Sequence, residues 1–389
     1  MHKLSPLRIA VADGSAFMRR LLAESLIVRG FEVAGVADSA SAAVDLCRRA
    51  RPDVLTFDIT TPGMDGVQLM HELRAAGIDV PVILLCGVFR ADAYRTVDVL
   101  AEGAVDFLEK PAACDTVQGF LSLLGQKIRL AAELHEQRRH AIELSSQRSV
   151  HALTPQPQPP SRRVPPREGQ RAIVICASTG GVQALATLIP SLPPRVGAGT
   201  IVVQQLPEES FSAALADRLN RHAAIEVREA AGGEQLYAGT VLVAPGGSHL
   251  RLAGDRKVLV STEAPIGGLR PRADLTIVDA ARMFGESLLL VVLSGMGKDA
   301  VDGAAEVKRR GGRVLVESEA SANAYGTPRA VIEAQLADDI LMLDELAEAI
   351  VAEAGVWAPA GDQGGLVSAE QSYIQSLKAA GDTRRLRGL

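Results

Sequence analysis

The chain has 389 residues, 47% hydrophobic and only 3% aromatic, a soluble globular composition of a length that suits two domains. With 41 Lys+Arg against 46 Asp+Glu the net charge is -5, so no global field holds a polyanion and nucleic acid is not an expected partner. The longest apolar run, Leu288 to Leu293, has the length of a buried strand and excludes membrane insertion, and Met1 to Ala12 reaches Asp13 before a signal core can form, which predicts a cytoplasmic protein.

Short β-rich runs at Leu7 to Ala12, Val33 to Val36, Val54 to Phe57, Val82 to Cys86 and Ala104 to Leu108 alternate with helical patterns. One such pattern puts Phe17, Leu21, Leu22 and Leu26 on a single apolar face. The alternation predicts a doubly wound parallel α/β sheet over residues 1–125. Leu121, Leu124, Ile128 and Ala131 continue at helical spacing, and the apolar stripe fades near His140. Thr154 to Gln170 then carries Pro155, Pro157, Pro159, Pro160, Pro165 and Pro166 with Arg162, Arg163 and Arg167. Residues 126–170 therefore read as a helix followed by a semi-stiff solvated linker. A second set of strands, at Ala172 to Ile175, Thr200 to Val203, Thr240 to Val243, Leu288 to Leu293 and Val314 to Glu317, predicts a second doubly wound domain over residues 171–354. The tail, residues 355–389, has a short amphipathic piece at Tyr373 to Leu377. Cys47, Cys86, Cys114 and Cys176 lie far apart without CxxC pairs and read as reduced thiols, mostly buried.

In an open parallel sheet, chemistry collects at the carboxyl ends of strands. Asp13 follows the first expected strand, Asp58 the third, Cys86 ends the fourth and Lys110 follows the fifth. A carboxylate nucleophile flanked by an acid and a lysine is what an acyl-phosphate site requires. With Asp58-Ile-Thr-Thr-Pro62-Gly-Met64-Asp65-Gly66 and Lys110-Pro111, the block resembles the receiver domain of two-component response regulators. The resemblance implies a flavodoxin-like fold, Asp58 as phosphoacceptor, Lys110 as its partner, a cis Lys110-Pro111 bond, and Mg²⁺ bound weakly through Asp13, Asp58 and the backbone carbonyl of Thr60. Two positions depart from the pattern. Gly14 stands where the family carries a second acid, and Cys86 where it carries a hydroxyl, which weakens both metal affinity and the switch.

The first strand of the second block runs into Ala177-Ser178-Thr179-Gly180-Gly181. Such a turn either cradles a phosphate or exposes a nucleophile over an oxyanion site. The absence of GxGxxG and of Gly-Lys-Ser/Thr counts against a nucleotide. Further motifs are Leu293-Ser294-Gly295-Met296-Gly297-Lys298-Asp299, Ala244-Pro245-Gly246-Gly247-Ser248-His249, and Glu319-Ala320-Ser321 with Tyr325-Gly326-Thr327-Pro328. Together they resemble the catalytic domain of the chemotaxis receptor methylesterases, the CheB family, here behind a receiver and a linker. The resemblance implies a Rossmann-like domain that hydrolyses receptor glutamate methyl esters and deamidates receptor glutamines. Its expected partners are methyl-accepting chemotaxis receptors and a chemotaxis histidine kinase. Ser178 matches the nucleophile, Asp299 the orienting carboxylate, and the backbone around Met296 the oxyanion hole. No cofactor is expected in this domain.

The family's base is the His of a Gln-His-Met-Pro segment, which here reads Gln204-Gln205-Leu206-Pro207. A carboxamide at position 205 cannot take the serine proton near neutral pH, so hydrolysis should be impaired. A second departure is Arg270-Pro271-Arg272-Ala273-Asp274, where the family has Ser in place of Arg272. An active, slow enzyme would have Ser178 activated by His249 or by a water network. A histidine is usual in the His249 motif and is not itself evidence of rescue, and His222 falls at a helix end and reads as surface. The competing expectation is a pseudoenzyme that binds receptor or kinase without turnover.

Overall fold

The apolar runs of the first block pair as parallel strands in the computed structural model, which describes residues 6–87, 89–111, 117–148 and 171–356, with the backbone alone for 140–148. The chain divides into two compact units at His140/Ala141. In the first, β1 (Arg8–Ala12), β2 (Glu32–Ala37), β3 (Val54–Asp58), β4 (Val82–Cys86) and β5 (Asp106–Glu109) form a parallel sheet of order β2-β1-β3-β4-β5. The connections are α1 (Ala16–Val28), α2 (Ala40–Ala50), α3 (Gly66–Ala75) and α4 (Arg90–Ala101), and α5 (Val117–Arg148) follows β5. Helices cover both sheet faces, so every residue of β3 and β4 is buried and those strands read as unbroken apolar runs. The strand order reverses between β1 and β3, and the crevice at that switch point falls at Asp13 and Asp58.

Two expectations for this unit are corrected. Phe17 is 72% exposed, because the buried stripe of α1 is Met18, Leu22 and Leu26 at intervals of four, and Phe17 lies one residue off it. Among the described residues the one cis peptide bond is Arg270–Pro271, not Lys110–Pro111. Helix α5 carries Ile128 and Ala131, beyond residue 125, into the same core as Ile9 and Val11. The proline-rich stretch, Cys114 and the piece at Tyr373 to Leu377 lie outside the described residues.

The second unit holds a seven-stranded parallel sheet of order β14-β13-β12-β6-β7-β9-β8. Its strands are β6 (Ala172–Ala177), β7 (Thr200–Gln204), β8 (Glu226–Glu229), β9 (Thr240–Val243), β12 (Leu288–Val292), β13 (Arg313–Glu317) and β14 (Asp339–Leu341). An antiparallel hairpin, β10 (His249–Ala253) and β11 (Lys257–Ser261), stands apart from it. The helices are α6 (Gly181–Leu188), α7 (Glu209–His222), α8 (Ala273–Phe284), α9 (Val301–Arg309), α10 (Gly326–Glu333) and α11 (Leu343–Ala354). The order reverses between β6 and β12, so the crevice opens between the Ser178 turn and the Ser294 turn. Among the described residues no helix is long and apolar enough to cross a membrane.

Cys47, Cys86 and Cys176 are free and buried. Burial pushes the Cys47 and Cys86 thiols up to about 12 and Cys176 well above its usual value. Thiolate is the reactive form, so iodoacetamide at pH 8 should leave all three unmodified in the native protein and alkylate them in denaturant. Peptide mass mapping reads this directly. Modification at Cys86 without denaturant would contradict its burial.

Candidate active site

At the receiver switch point, the Lys110 ammonium lies 2.7 Å from Asp13 Oδ2 and 3.0 Å from Asp58 Oδ2. Both acids are buried, with side-chain exposures of 1% and 5%. Asp13 Oδ1 accepts the Ser15 amide, and Asp58 Oδ2 also accepts the Thr60 hydroxyl at 2.6 Å. Among the described residues Asp58 Oδ1 accepts only the Thr60 amide, at 3.4 Å, and is the freer oxygen. The structure thus brings Asp13, Asp58, Thr60 and Lys110 together. Cys86 instead directs its Sγ to the Leu108 carbonyl on β5, a weak bond of 3.8 Å inside the sheet.

Mg²⁺ takes six oxygens, usually one or two carboxylates completed by waters and phosphate oxygens, and Asp13, Asp58 and the Thr60 carbonyl are the groups that would hold it here, weakly. One ammonium already bridges the two carboxylates, and the position that would supply the third acid is Gly14, where a Cβ would meet Pro62 Cδ at 2.9 Å. Among the described residues no group of three or more His, Cys, Asp or Glu side chains could hold a metal ion.

In the second unit, β6 ends at Ala177 and the chain turns sharply through Ser178 into α6. Ser178 N–H donates to the Ser294 carbonyl at 3.0 Å, and Gly181 N–H returns to the Ser178 carbonyl at 2.8 Å. The turn demands glycine twice. Gly180 has φ +75°, and a Cβ on Gly181 would fall 2.2 Å from Gln204 Oε1 and 2.5 Å from Ala177 Cβ. Gly181→Ala is therefore expected to cost about 1–3 kcal/mol through overpacking, read as a lower urea midpoint for the second unit. A neutral effect would mean that the turn is looser than these contacts imply.

Gln205 follows the end of β7 and lies between serine and carboxylate. Ser178 Oγ–H donates to Gln205 Oε1 at 2.9 Å, and Gln205 Nε2–H donates to Asp299 Oδ2 at 2.7 Å. Asp299 also accepts the Ala273 amide at 2.8 Å and the Asp274 amide at 2.9 Å. The carboxamide therefore spans the gap an imidazole would span, with the same donor and acceptor sense, but it has no site that binds a proton at neutral pH. The Ser294 turn lies against Ser178, since a Cβ on Gly295 would be 3.2 Å from Ser178 Cβ. Gly295 N–H is taken by the Ala324 carbonyl, while among the described residues the next amide, Met296 N–H, has no acceptor.

His249 is fully buried and spoken for at both ring nitrogens. Nδ1 accepts the Arg272 amide at 3.2 Å, and Nε2 faces the Ala264 carbonyl at 3.3 Å, which assigns the proton to Nε2. Neither nitrogen is bonded to Ser178, so this geometry does not support activation of Ser178 by His249. His222 is exposed at the end of α7.

Sequence reasoning missed two features. Arg272 reaches two acids, with Nη2 at 2.8 Å from Asp274 Oδ2 and Nε at 3.7 Å from Asp299 Oδ1. Glu317, fully buried at the end of β13, accepts both the amide (2.7 Å) and the hydroxyl (2.9 Å) of Ser294. Burial raises the Asp274 carboxyl, opposed by the Gly303 amide and by Arg272. The only available signal was placement, a cation two residues before an acid at a helix start and an acid at a strand end.

Comparison with known proteins is consistent along the chain. The family description "CheB methylesterase" matches residues 173–350 and "Response regulator receiver domain" matches residues 9–120. A "Protein-glutamate methylesterase/protein-glutamine glutaminase" of Clostridium acetobutylicum is 32% identical over 350 residues, covering 90% of this chain and 98% of its own length. A relative from Anaeromyxobacter dehalogenans, carrying the same name with the number 1, is 36% identical over 355 residues, covering 89% and 98%. The solved catalytic domain of the Thermotoga maritima CheB methylesterase is 37% identical, covering 47% of this chain and 97% of that domain with a TM-score of 0.45.

Proposed function

The chain belongs to the CheB methylesterase family, with a receiver domain ahead of the methylesterase domain, and from that premise we propose that it serves methyl-accepting chemotaxis receptors with strongly impaired ester hydrolysis. Its substrates by kinship are receptor glutamate methyl esters and glutamines. The observation that carries the reading is the bond from Ser178 Oγ–H to the Gln205 carboxamide oxygen. In a working triad the base takes the serine proton as the hydroxyl attacks, and later returns it to the leaving group. Gln205 holds the hydroxyl by accepting its hydrogen, yet it cannot remove that hydrogen. What remains is the cleft itself and the Met296 amide, which can bind and polarise an ester carbonyl. Loss of the triad histidine in subtilisin costs about 10⁶ in kcat.

Regulation is proposed to run through Asp58. Its Oδ1 would attack the phosphoryl group of a kinase phosphohistidine, forming the aspartyl phosphate as the P–N bond breaks and the imidazole leaves, and the Lys110 ammonium would pair with a phosphoryl oxygen. No step of this reading is routed through Mg²⁺.

Methanol release from methylated receptor membranes tests the reading. The expected result is a rate near background that changes less than about tenfold in Ser178→Ala, while both proteins sediment equally with the membranes. Brisk release abolished by Ser178→Ala would overturn it.

A further inference from the structure

Two buried carboxylates, Asp274 and Asp299, share the floor of the cleft, with side-chain exposures of 8% and 2%. In a histidine triad the imidazolium formed during turnover balances the buried acid. Gln205 brings hydrogen bonds to Asp299 but no charge. The cation that reaches both acids is Arg272, which is held in place from several sides. Its amide donates to His249 Nδ1 at 3.2 Å, and its Nη1 meets the Ile266 carbonyl at 3.4 Å. A Cβ on Gly267 would come within 3.1 Å of Nη1, so the guanidinium lies directly on that turn.

We propose that Arg272 is a positioning residue and the resident counter-charge of the Asp274/Asp299 pair, so that the site is matched to a neutral side chain at 205 and works against an imidazole there. Gln205 and Arg272 then form one electrostatic unit. This inference rests on the reading of Gln205 given above. It has a specific consequence for repair of the triad. A histidine placed at 205 would bond Asp299 through one nitrogen and Ser178 through the other. Its charged form, however, would meet a fixed cation that already shares Asp299, and its basicity would fall. Removal of Arg272 would take away the competing cation, leaving Asp299 to the Ala273 and Asp274 amides and the imidazole.

The other groups around this cluster do not substitute for Arg272. Lys298 is exposed on the Ser294 turn, Asp302 adds a further negative charge near Arg272, Cys176 is a buried thiol, and both His249 nitrogens are occupied.

The experiment compares full-length Gln205→His, Gln205→His/Arg272→Ser and Gln205→His/Arg272→Gln. Each is followed by methanol release and by NMR titration of the residue-205 imidazole. The expected result is an imidazole pKa about one unit higher, and release at least about tenfold faster, in both double variants than in Gln205→His. Arg272→Gln removes the charge while keeping the aliphatic stem and an amide donor, so it reports if Arg272→Ser does not fold. Equal pKa values and equal rates in the single and double variants would overturn the proposal. So would full recovery in Gln205→His alone, which would leave the impaired-hydrolysis reading intact. Brisk, Ser178-dependent turnover by the unaltered protein would instead overturn that reading, and the imidazole titration would still decide the role of Arg272.

Discussion

Lys110→Met should destabilise the receiver unit by about 3–5 kcal/mol, the usual cost of removing one partner from a buried ion pair. The ammonium is the shared cation of Asp13 and Asp58, at 2.7 and 3.0 Å, and its own side chain is only 20% exposed. Methionine fills the volume of the stem, so packing changes little and the loss reports the charge. Two acids side by side in a largely buried site then lack a counter-ion, and their hydrogen bonds from Ser15 and Thr60 cannot neutralise them. Hydrogen exchange at β1, β3 and β4 in the intact protein measures the effect on this unit alone. Lys110→Arg should retain part of the stability, because it restores the charge with an altered shape. A loss below about 1 kcal/mol in Lys110→Met would place the pair in the class of weak surface ion pairs and refute the role assigned to it.

The same logic explains which parts of the fold the sequence announces. Strands β3, β4, β6, β7, β9 and β12 are buried on both faces, or nearly so, and each appears as a continuous apolar run. Strand β8, Glu-Val-Arg-Glu, lies at a sheet edge with only Val227 buried, so it carries almost no apolar signal. The hairpin β10–β11 alternates Leu250 and Leu252 with charged neighbours, and β14 is three residues with none fully buried. Those elements exist because a neighbour supplies the ladder, and a neighbour cannot be seen from a single segment. The site divides in the same way. Ser178, Gln205 and Asp299 in one unit, and Asp13, Asp58 and Lys110 in the other, stand at or after strand ends next to turn motifs, and the topology of each unit brings its own set together. Cys86 also stands at a strand end, but its thiol turns into the sheet, a matter of side-chain direction that spacing does not encode. The double reach of Arg272 and the burial of Glu317 depend on partners 23–27 residues away and on rotamers, and both appear only in three dimensions.

Glu317→Ala should cost about 3–5 kcal/mol and disable the cleft as a binding surface. Glu317 is fully buried, and it receives the Ser294 amide and hydroxyl on one oxygen and the Ser321 hydroxyl, at 3.2 Å, on the other. Ser294 in turn holds two further parts of the site. Its carbonyl takes the Ser178 amide at 3.0 Å, and its hydroxyl oxygen takes the Asn323 amide at 3.0 Å. Alanine would leave the Ser294 amide and hydroxyl donors inside the protein without this acceptor, each costing about 1–3 kcal/mol, and would open a cavity beneath the turn. Gln is the informative control. Its carbonyl oxygen can accept the Ser294 pair and its amide can donate to the Ser321 hydroxyl, so Glu317→Gln should lose only about 1 kcal/mol. Urea unfolding of the second unit separates the two variants, and sedimentation with receptor membranes should fail for alanine and persist for glutamine. Equal stability of the two variants would show that the charge of Glu317, and not its acceptor geometry, holds the Ser294 turn against Ser178.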